Sequence, residues 1–408
     1  MTGSAGFGSD LQHLKQFPHL PIYTMTSFQI SAASPGVTAT AVDVQLKPVN
    51  RPEGGKANKE ELEPFAPVLG PAAWYAADYK NLTDYIYELT PADIAEMDAA
   101  LVCAKATGKQ IQDLTVTEFP LPLLGPKLVG LREDVRVGRG FALIRGVPVD
   151  RYTREEVVTL WYGFGLHWGK AVSQNKKGHL VGHIKDIGHD PSLPYTRLYA
   201  THEAQPYHND SADIVGLLNL TNGVEGGLSS WSSSITVHNE IVKRRPDLAR
   251  VLAGEWYYDR KGEVPEGKLP YFMIPVFNYY KGYLSVNYSD NYYLASQRHA
   301  GVPRLTEAHY EAMELFNSLA ASDELRLDYM LQPGDIQLLS NHTCLHARSK
   351  FTDGPDARRH LLRLWVCTPL DRRLPECYRE LYGGSIEIGN RGGIVVPGTK
   401  LTVPLEAE

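Results

Sequence analysis

The residues best suited to chemistry lie in two segments far apart in the chain. The first, Gln205-Pro206-Tyr207-His208-Asn209-Asp210-Ser211-Ala212-Asp213, carries a His-x-Asp where a strand is expected to begin. Side chains two apart on an extended chain share a face, so His208 and Asp210 can present one imidazole and one carboxylate to a common point. Taken alone, such a pair is more often a surface or core feature. The second segment runs from Gln332 to Arg348 as QPGDIQLLSNHTCLHAR and reads as a turn, a buried strand and a His-rich exit. Its His346 follows His208 by 138 positions, with His342 as the alternative. Arg363 stands 17 positions further on, in the basic strand Arg358-Arg359-His360-Leu361-Leu362-Arg363-Leu364-Trp365.

Other chemistries are excluded by particular residues. The stretch GFGLHWGK at 163–170 is not a phosphate loop, because Phe164 stands where the first glycine is required and Ala171 where Ser or Thr should follow the lysine. It also lacks the third glycine of a dinucleotide fingerprint. His202-Glu203 is followed by Ala204-Gln205-Pro206, so it is no zinc-protease motif, and no G-x-S-x-G elbow occurs.

The elements that must position these residues are legible in part. Thr90-Pro91 opens a helix carrying Ile94, Met97 and Leu101. Thr153 and Glu156 form a capping box ahead of another. Helices are expected over 235–243, 247–252 and 307–320, and strands over 140–147, 213–220, 335–339 and 360–367. Tyr271–Asn278 and Tyr283–Tyr288 should form a hairpin about 279–282, serving packing more than binding. Strands outnumber helices in the second half, which favours a β core with helices around it. Residues 1–70, with the loop-like Asn50–Lys56, read as an extended arm and 71–408 as a single domain; Met25 is a candidate start.

Composition bounds the rest. The 408 residues are 43% hydrophobic and 22% charged, enough for a large core. A net charge of −6 gives no footprint for nucleic acid. No apolar run approaches the roughly 18 residues of a membrane span, and no secretory signal is visible. Four cysteines without a C-x-x-C pair point to a reducing compartment, the cytoplasm. Oligomeric state is not encoded in any pattern here.

The phrases YHNDSADIVGLL, EGGLSSWSSSITVHNEI, PGDIQLLSNHTCLHARS and RRHLLRLWV, in this order and spacing, resemble the TauD/TfdA family of Fe(II)- and 2-oxoglutarate-dependent dioxygenases, and fungal members in particular. The resemblance runs from Tyr207 to Trp365, and more weakly from about 140, so the motif-covered core is about 140–367. It implies a distorted double-stranded β-helix (jelly roll) with surrounding helices, His208 and Asp210 on one strand and His346 on another. By the same resemblance, those three bind Fe(II) and leave positions for 2-oxoglutarate and dioxygen. Arg363 matches the arginine that pairs with the distal carboxylate of 2-oxoglutarate, Ser229 a hydroxyl on the same carboxylate, and Arg359 (alternatively Arg358) a second arginine near its other end. The activity implied is oxidation of an unactivated C–H of a small molecule, by hydroxylation, desaturation or cyclisation, with an amino acid or specialised-metabolism intermediate as substrate. A metal-dependent oxidase or hydrolase without 2-oxoglutarate, or a binding protein on the same fold, is the competing reading. Tyr207, Asn341, Thr343 and Leu345 adjoin the ligand positions and are the first candidates for the substrate pocket.

Overall fold

A computed structural model describes residues 62–408; most of the arm expected at 1–70 lies outside the described residues. Among the described residues two sheets face each other. The larger, seven-stranded, runs Ile86–Glu88, Phe141–Arg145, Ile336–Ser340, Ile214–Thr221, His360–Cys367, Lys170–Ala171, with Val181–Ile184 also paired to His360–Cys367. The smaller runs Arg326–Tyr329, Ser229–Ser233, Cys344–Arg348, Gln205–His208. The chain alternates between them: 205–208 small, 214–221 large, 229–233 small, 336–340 large, 344–348 small, 360–367 large. That alternation is the double-stranded β-helix, and the fold is the expected jelly roll.

Period-two alternation sorts the side chains into layers. Leu361 and Trp365 point between the sheets, where they meet Phe141, Val215, Trp231 and Leu339. Leu362, Leu364 and Val366 point the other way, onto the helices Pro91–Ala106, Leu124–Val137 and Arg154–Trp168. On the small sheet, Tyr207, Leu345 and Ala347 face outward onto the helices Ser234–Arg244, Pro246–Leu252 and Glu307–Ala320. Arg363 shares its parity with Leu361 and Trp365, and His346 with Cys344, so both are turned to the interior between the sheets.

Both expected N-caps form. Thr90 accepts from the Asp93 amide at 3.2 Å, and Thr153 from the Glu156 amide at 3.3 Å. The glycines at 163 and 165 lie inside the helix Arg154–Trp168, where they permit close packing. A Cβ at Gly163 would stand 2.5 Å from the Phe119 ring, and one at Gly165 would stand 2.7 Å from Leu364.

Two expectations are corrected. Asp210 is not on a strand with His208; the strand ends at His208, and Asp210 sits on the corner 209–213 where the chain crosses to the large sheet. The hairpin is narrower than expected, with Phe277–Tyr280 paired to Tyr283–Val286 across Lys281-Gly282. Pro275, which cannot donate to a ladder, breaks the run, and Tyr271–Met273 pairs with Tyr257–Asp259 instead.

Gly163→Ala should drive its methyl into Phe119 and lower stability by about 1–3 kcal/mol. Urea denaturation followed by fluorescence checks this, with the midpoint falling.

Candidate active site

The site forms where the chain changes sheets. His208 and His346 are direct partners across the antiparallel pair Gln205–His208/Cys344–Arg348, and their rings lie 4.1 Å apart. Asn209 locks the corner that follows. Its side-chain amide donates to the Cys344 carbonyl at 2.9 Å, and its Oδ1 accepts from the Tyr288 amide at 3.0 Å. The Asp210 amide donates to Asn341 Oδ1 at 2.9 Å, turning the Asp210 carboxylate toward the two imidazoles. Asp210 Oδ1 lies 3.8 Å from His208 Nε2, and Oδ2 lies 3.6 Å from His346 Nε2. One donor atom from each of the three falls within 4.8 Å of the others.

The protonation of this cluster follows from its partners. His208 Nδ1 lies 2.8 Å from the Pro206 carbonyl, which can only accept, so Nδ1 carries the proton and the Nε2 lone pair, on the side of Asp210, accepts from the Gln205 side-chain amide at 2.9 Å. Burial first, then the neighbouring His346, pushes the His208 pKa down to about 3, so the imidazole is neutral. Burial works to raise the pKa of Asp210, but Arg363 first, then His346 and His208, overcome it and hold the carboxyl far below the usual range. Trp365 Nε1 donates to Asp210 Oδ2 at 2.8 Å, and Arg363 Nη1 at 3.3 Å. His346 Nδ1 is buried without a hydrogen-bond partner. Two imidazoles and an ionised carboxylate converging from one side are a donor set fitted to Fe(II), with the opposite side open.

Two cavities meet at this cluster, sharing Gln205, His208 and Arg363 in their walls. One is a wide, open cavity of about 300 Å³ that reaches Tyr258, Lys261 and Tyr292. The other is a narrow cleft between the sheets, lined by Ser229, His346, Arg348, Arg359 and Arg363. The cleft has a surplus of positive charge. Arg348 and Arg359 flank the Phe351 ring at 4.8 and 5.3 Å, and neither pairs with a carboxylate among the described residues. Burial, then Arg348 beside it, lowers the pKa of Arg359 to about 9, which still leaves it charged at neutral pH. Arg359 Nη1 and Arg348 Nη1 are buried and unpartnered. Gly227 makes room for this arrangement: a Cβ there would stand 2.6 Å from Arg359 Nε. Arg363, by contrast, is engaged. Besides Asp210, its Nε donates to Gln174 Oε1 at 2.7 Å, and its guanidinium lies 4.7 Å from the Trp365 ring.

Other sequence candidates go elsewhere. Tyr207 and Leu345 flank the imidazoles in sequence, and alternation therefore turns them to the opposite face, into the outer core. Asn341 positions Asp210 through its backbone, and Thr343 is buried at a crossing with Gly140, away from both cavities. None of the four lines the wide cavity. His342 is bonded through Nε2 to Asp213 at 3.0 Å. Asp371 approaches the same pair, but Arg391 Nε donates to Asp213 at 2.9 Å, so this second cluster is a salt-bridged knot. Gln174, Asn209 and Trp365 were missed by sequence reasoning. Only Trp365 carried a signal, sharing a strand face with Arg363.

The family described as "Taurine catabolism dioxygenase TauD, TfdA family" matches residues 107–365. FR-33289 synthase of Streptomyces rubellomurinus is 31% identical over 318 residues, covering 76% of this chain and 93% of that protein. A taurine hydroxylase-like protein of Stachybotrys chartarum is also 31% identical, over 72% of this chain and 77% of its own. Among solved structures, asparagine oxygenase in complex with Fe(II), a 3-hydroxyasparagine and succinate superposes with a TM-score of 0.53 at 16% identity, over 69% of this chain and 93% of that one. Among the described residues no helix is long and apolar enough to cross a membrane. The chain belongs to the TauD/TfdA family and is a non-haem Fe(II)- and 2-oxoglutarate-dependent dioxygenase acting on a small molecule.

Proposed function

We propose that His208, Asp210 and His346 hold the iron, that 2-oxoglutarate reaches from it into the narrow cleft, and that the substrate occupies the 300 Å³ cavity. The substrate is an amino acid or an intermediate of specialised metabolism, oxidised at an unactivated C–H. The solved relative that shares the fold holds a hydroxylated amino acid, which supports the substrate class. With Fe(II), 2-oxoglutarate and dioxygen bound, the chemistry supplied is decarboxylation of 2-oxoglutarate to succinate coupled to oxidation of that C–H.

The observation carrying the assignment of the cleft is the buried Arg359 guanidinium, which pairs with no carboxylate among the described residues and whose Nη1 has no hydrogen-bond partner. A buried, uncompensated cation is costly, and a carboxylate seated against it by two parallel hydrogen bonds removes the cost. Sequence matching gives the distal-carboxylate role to Arg363, four positions further on, within the strand that Arg359 precedes. Arg363 already has Asp210 and Gln174, whereas Arg359 shares its cleft with Ser229 and has no anion. We therefore assign the distal carboxylate to Arg359, with Ser229 as its hydroxyl donor. Arg363 acts on Asp210, keeping it ionised and oriented at the end of the cleft nearest the imidazoles.

Asp210→Ala should abolish iron retention and turnover, because two imidazoles cannot keep the ligand geometry. Anaerobic dialysis followed by metal analysis reads this, and retention of iron at the wild-type level would place the metal elsewhere.

Arg359→Ala should raise the Michaelis constant for 2-oxoglutarate on the order of a hundredfold, the loss of a charge-assisted two-point contact, with iron retention unchanged. Arg359→Lys should recover part of it, since an ammonium cannot supply the fork. Arg363→Ala should act mainly on turnover. If Arg363→Ala raises that constant more than Arg359→Ala does, the role falls to Arg363. If neither alters 2-oxoglutarate dependence, the cleft is not the cosubstrate site.

A further inference from the structure

One wall of the wide cavity includes the segment that joins Tyr257–Asp259 to Tyr271–Met273, and one cation on it forms no ion pair among the described residues. Arg197 pairs with Glu263 at 3.4 Å, Lys268 with Glu380 at 2.7 Å, and Arg260 with the same Glu380. Lys261, which also lines this cavity, forms no ion pair among the described residues. The adjacent Asp259 is already occupied by Arg298 at 3.0 Å and His299 at 2.8 Å. Burial first, with Arg298 and Arg197 adding to it against Asp259, lowers the Lys261 pKa to about 8, so the charge is held in surroundings that disfavour it.

The backbone holds Lys261 in that position at some cost. The Glu263 amide donates to the Arg260 carbonyl at 2.9 Å, closing a tight turn whose central residues, Lys261 and Gly262, have φ of 50° and 79°. A lysine in the left-handed region is disfavoured relative to Gly, Asn or Asp; the Lys281-Gly282 hairpin turn has the same conformation, with φ of 49° and 79°, so what sets Lys261 apart is the cavity it lines. Asp259 Oδ1 fixes the turn by accepting from the Lys261 amide at 2.6 Å. The ammonium lies 5.1 Å from the Tyr292 ring centroid, and Tyr292 stacks on Tyr258 at 4.4 Å and 19°. That slab lines the same cavity as His208 and Asp210.

We propose that Lys261 is a specificity-determining residue that receives an oxyanion borne by the substrate, a carboxylate or a phosphonate, while the Tyr258–Tyr292 slab supports the carbon skeleton leading to the iron site. This rests on the wide cavity being the substrate site. The anion supplies the counter-charge that the protein withholds, and binding it in a half-buried position is worth more than an exposed ion pair.

The test uses the full chain loaded anaerobically with Fe(II) and saturating 2-oxoglutarate, so that the cleft is filled and only the wide cavity is free. Calorimetric titration with butanoate, butylphosphonate and the neutral butanamide should show one of the anions binding roughly tenfold or more tighter than the amide. Which anion wins separates a carboxylate substrate from a phosphonate one. Lys261→Met should erase the preference and Lys261→Arg restore most of it, with 2-oxoglutarate affinity in both variants equal to that of the parent. A preference that survives in Lys261→Met, or a parent protein that does not discriminate anion from amide, overturns the proposal. A parent protein that fails to bind 2-oxoglutarate overturns instead the reading of the site on which it rests.

Discussion

One carboxylate, buried between two sheets, sets the terms for the interior. Asp210 can stay ionised there only if cationic and hydrogen-bonding groups surround it, because the desolvation of a bare carboxylate is prohibitive. Those groups come from three strands that are distant in sequence: His208 at the end of one, His346 on its neighbour, and Arg363 with Trp365 on a strand of the opposite sheet. The two sheets are thus joined through the same atoms that are proposed to make the iron site. Packing and site geometry cannot be tuned separately here, since moving either sheet moves a partner of Asp210.

Around that centre, charge is distributed unequally. On one side, Arg348 and Arg359 crowd a narrow cleft without a carboxylate to balance them. On the other, most cations of the wide cavity wall are already paired within the protein. Under the proposed assignment, a diffusing dicarboxylate meets an attractive slot, whereas a substrate is selected by shape and by few fixed charges. This separation suits an enzyme whose cosubstrate is constant.

Much of the architecture was legible because it rests on local chemistry. Capping residues at Thr90 and Thr153 and the apolar run 360–367 mark elements that form as read. The grouping of His208, Asp210 and His346 was visible from residue types and motif order. The details that failed depend on partners that spacing does not reveal. Asp210 was read onto a strand because two-residue spacing fits an extended chain, yet the hydrogen bonds of Asn209 bend the chain at that point. The substrate candidates were chosen as sequence neighbours of the ligands, and alternation sends such neighbours to the opposite face. Arg359, just before the strand His360–Cys367, and Arg363, on it, are four positions apart in one basic run, and position alone does not distinguish them; the difference is which one Asp210 and Gln174 have claimed.

The salt-bridged knot behind the corner has a consequence for how the protein comes into being. Asp213, three residues beyond Asp210, is bonded to Arg391, 178 positions later, and to the Thr368 amide. During synthesis, the segment bearing the first ligands leaves the ribosome long before either partner does. Loop closure over such a separation is slow relative to helix formation, so the outer helices can form early while the corner waits. Until Arg391 joins, Asp213 has a buried negative charge in prospect and only the neutral Thr368 groups and His342 to share it, which disfavours premature closure of the sheets. The corner that carries Asp210 therefore depends on residues near the far end of the described chain, and a nascent chain that has not yet reached Arg391 lacks the charge partner of Asp213 directly behind the proposed metal ligands.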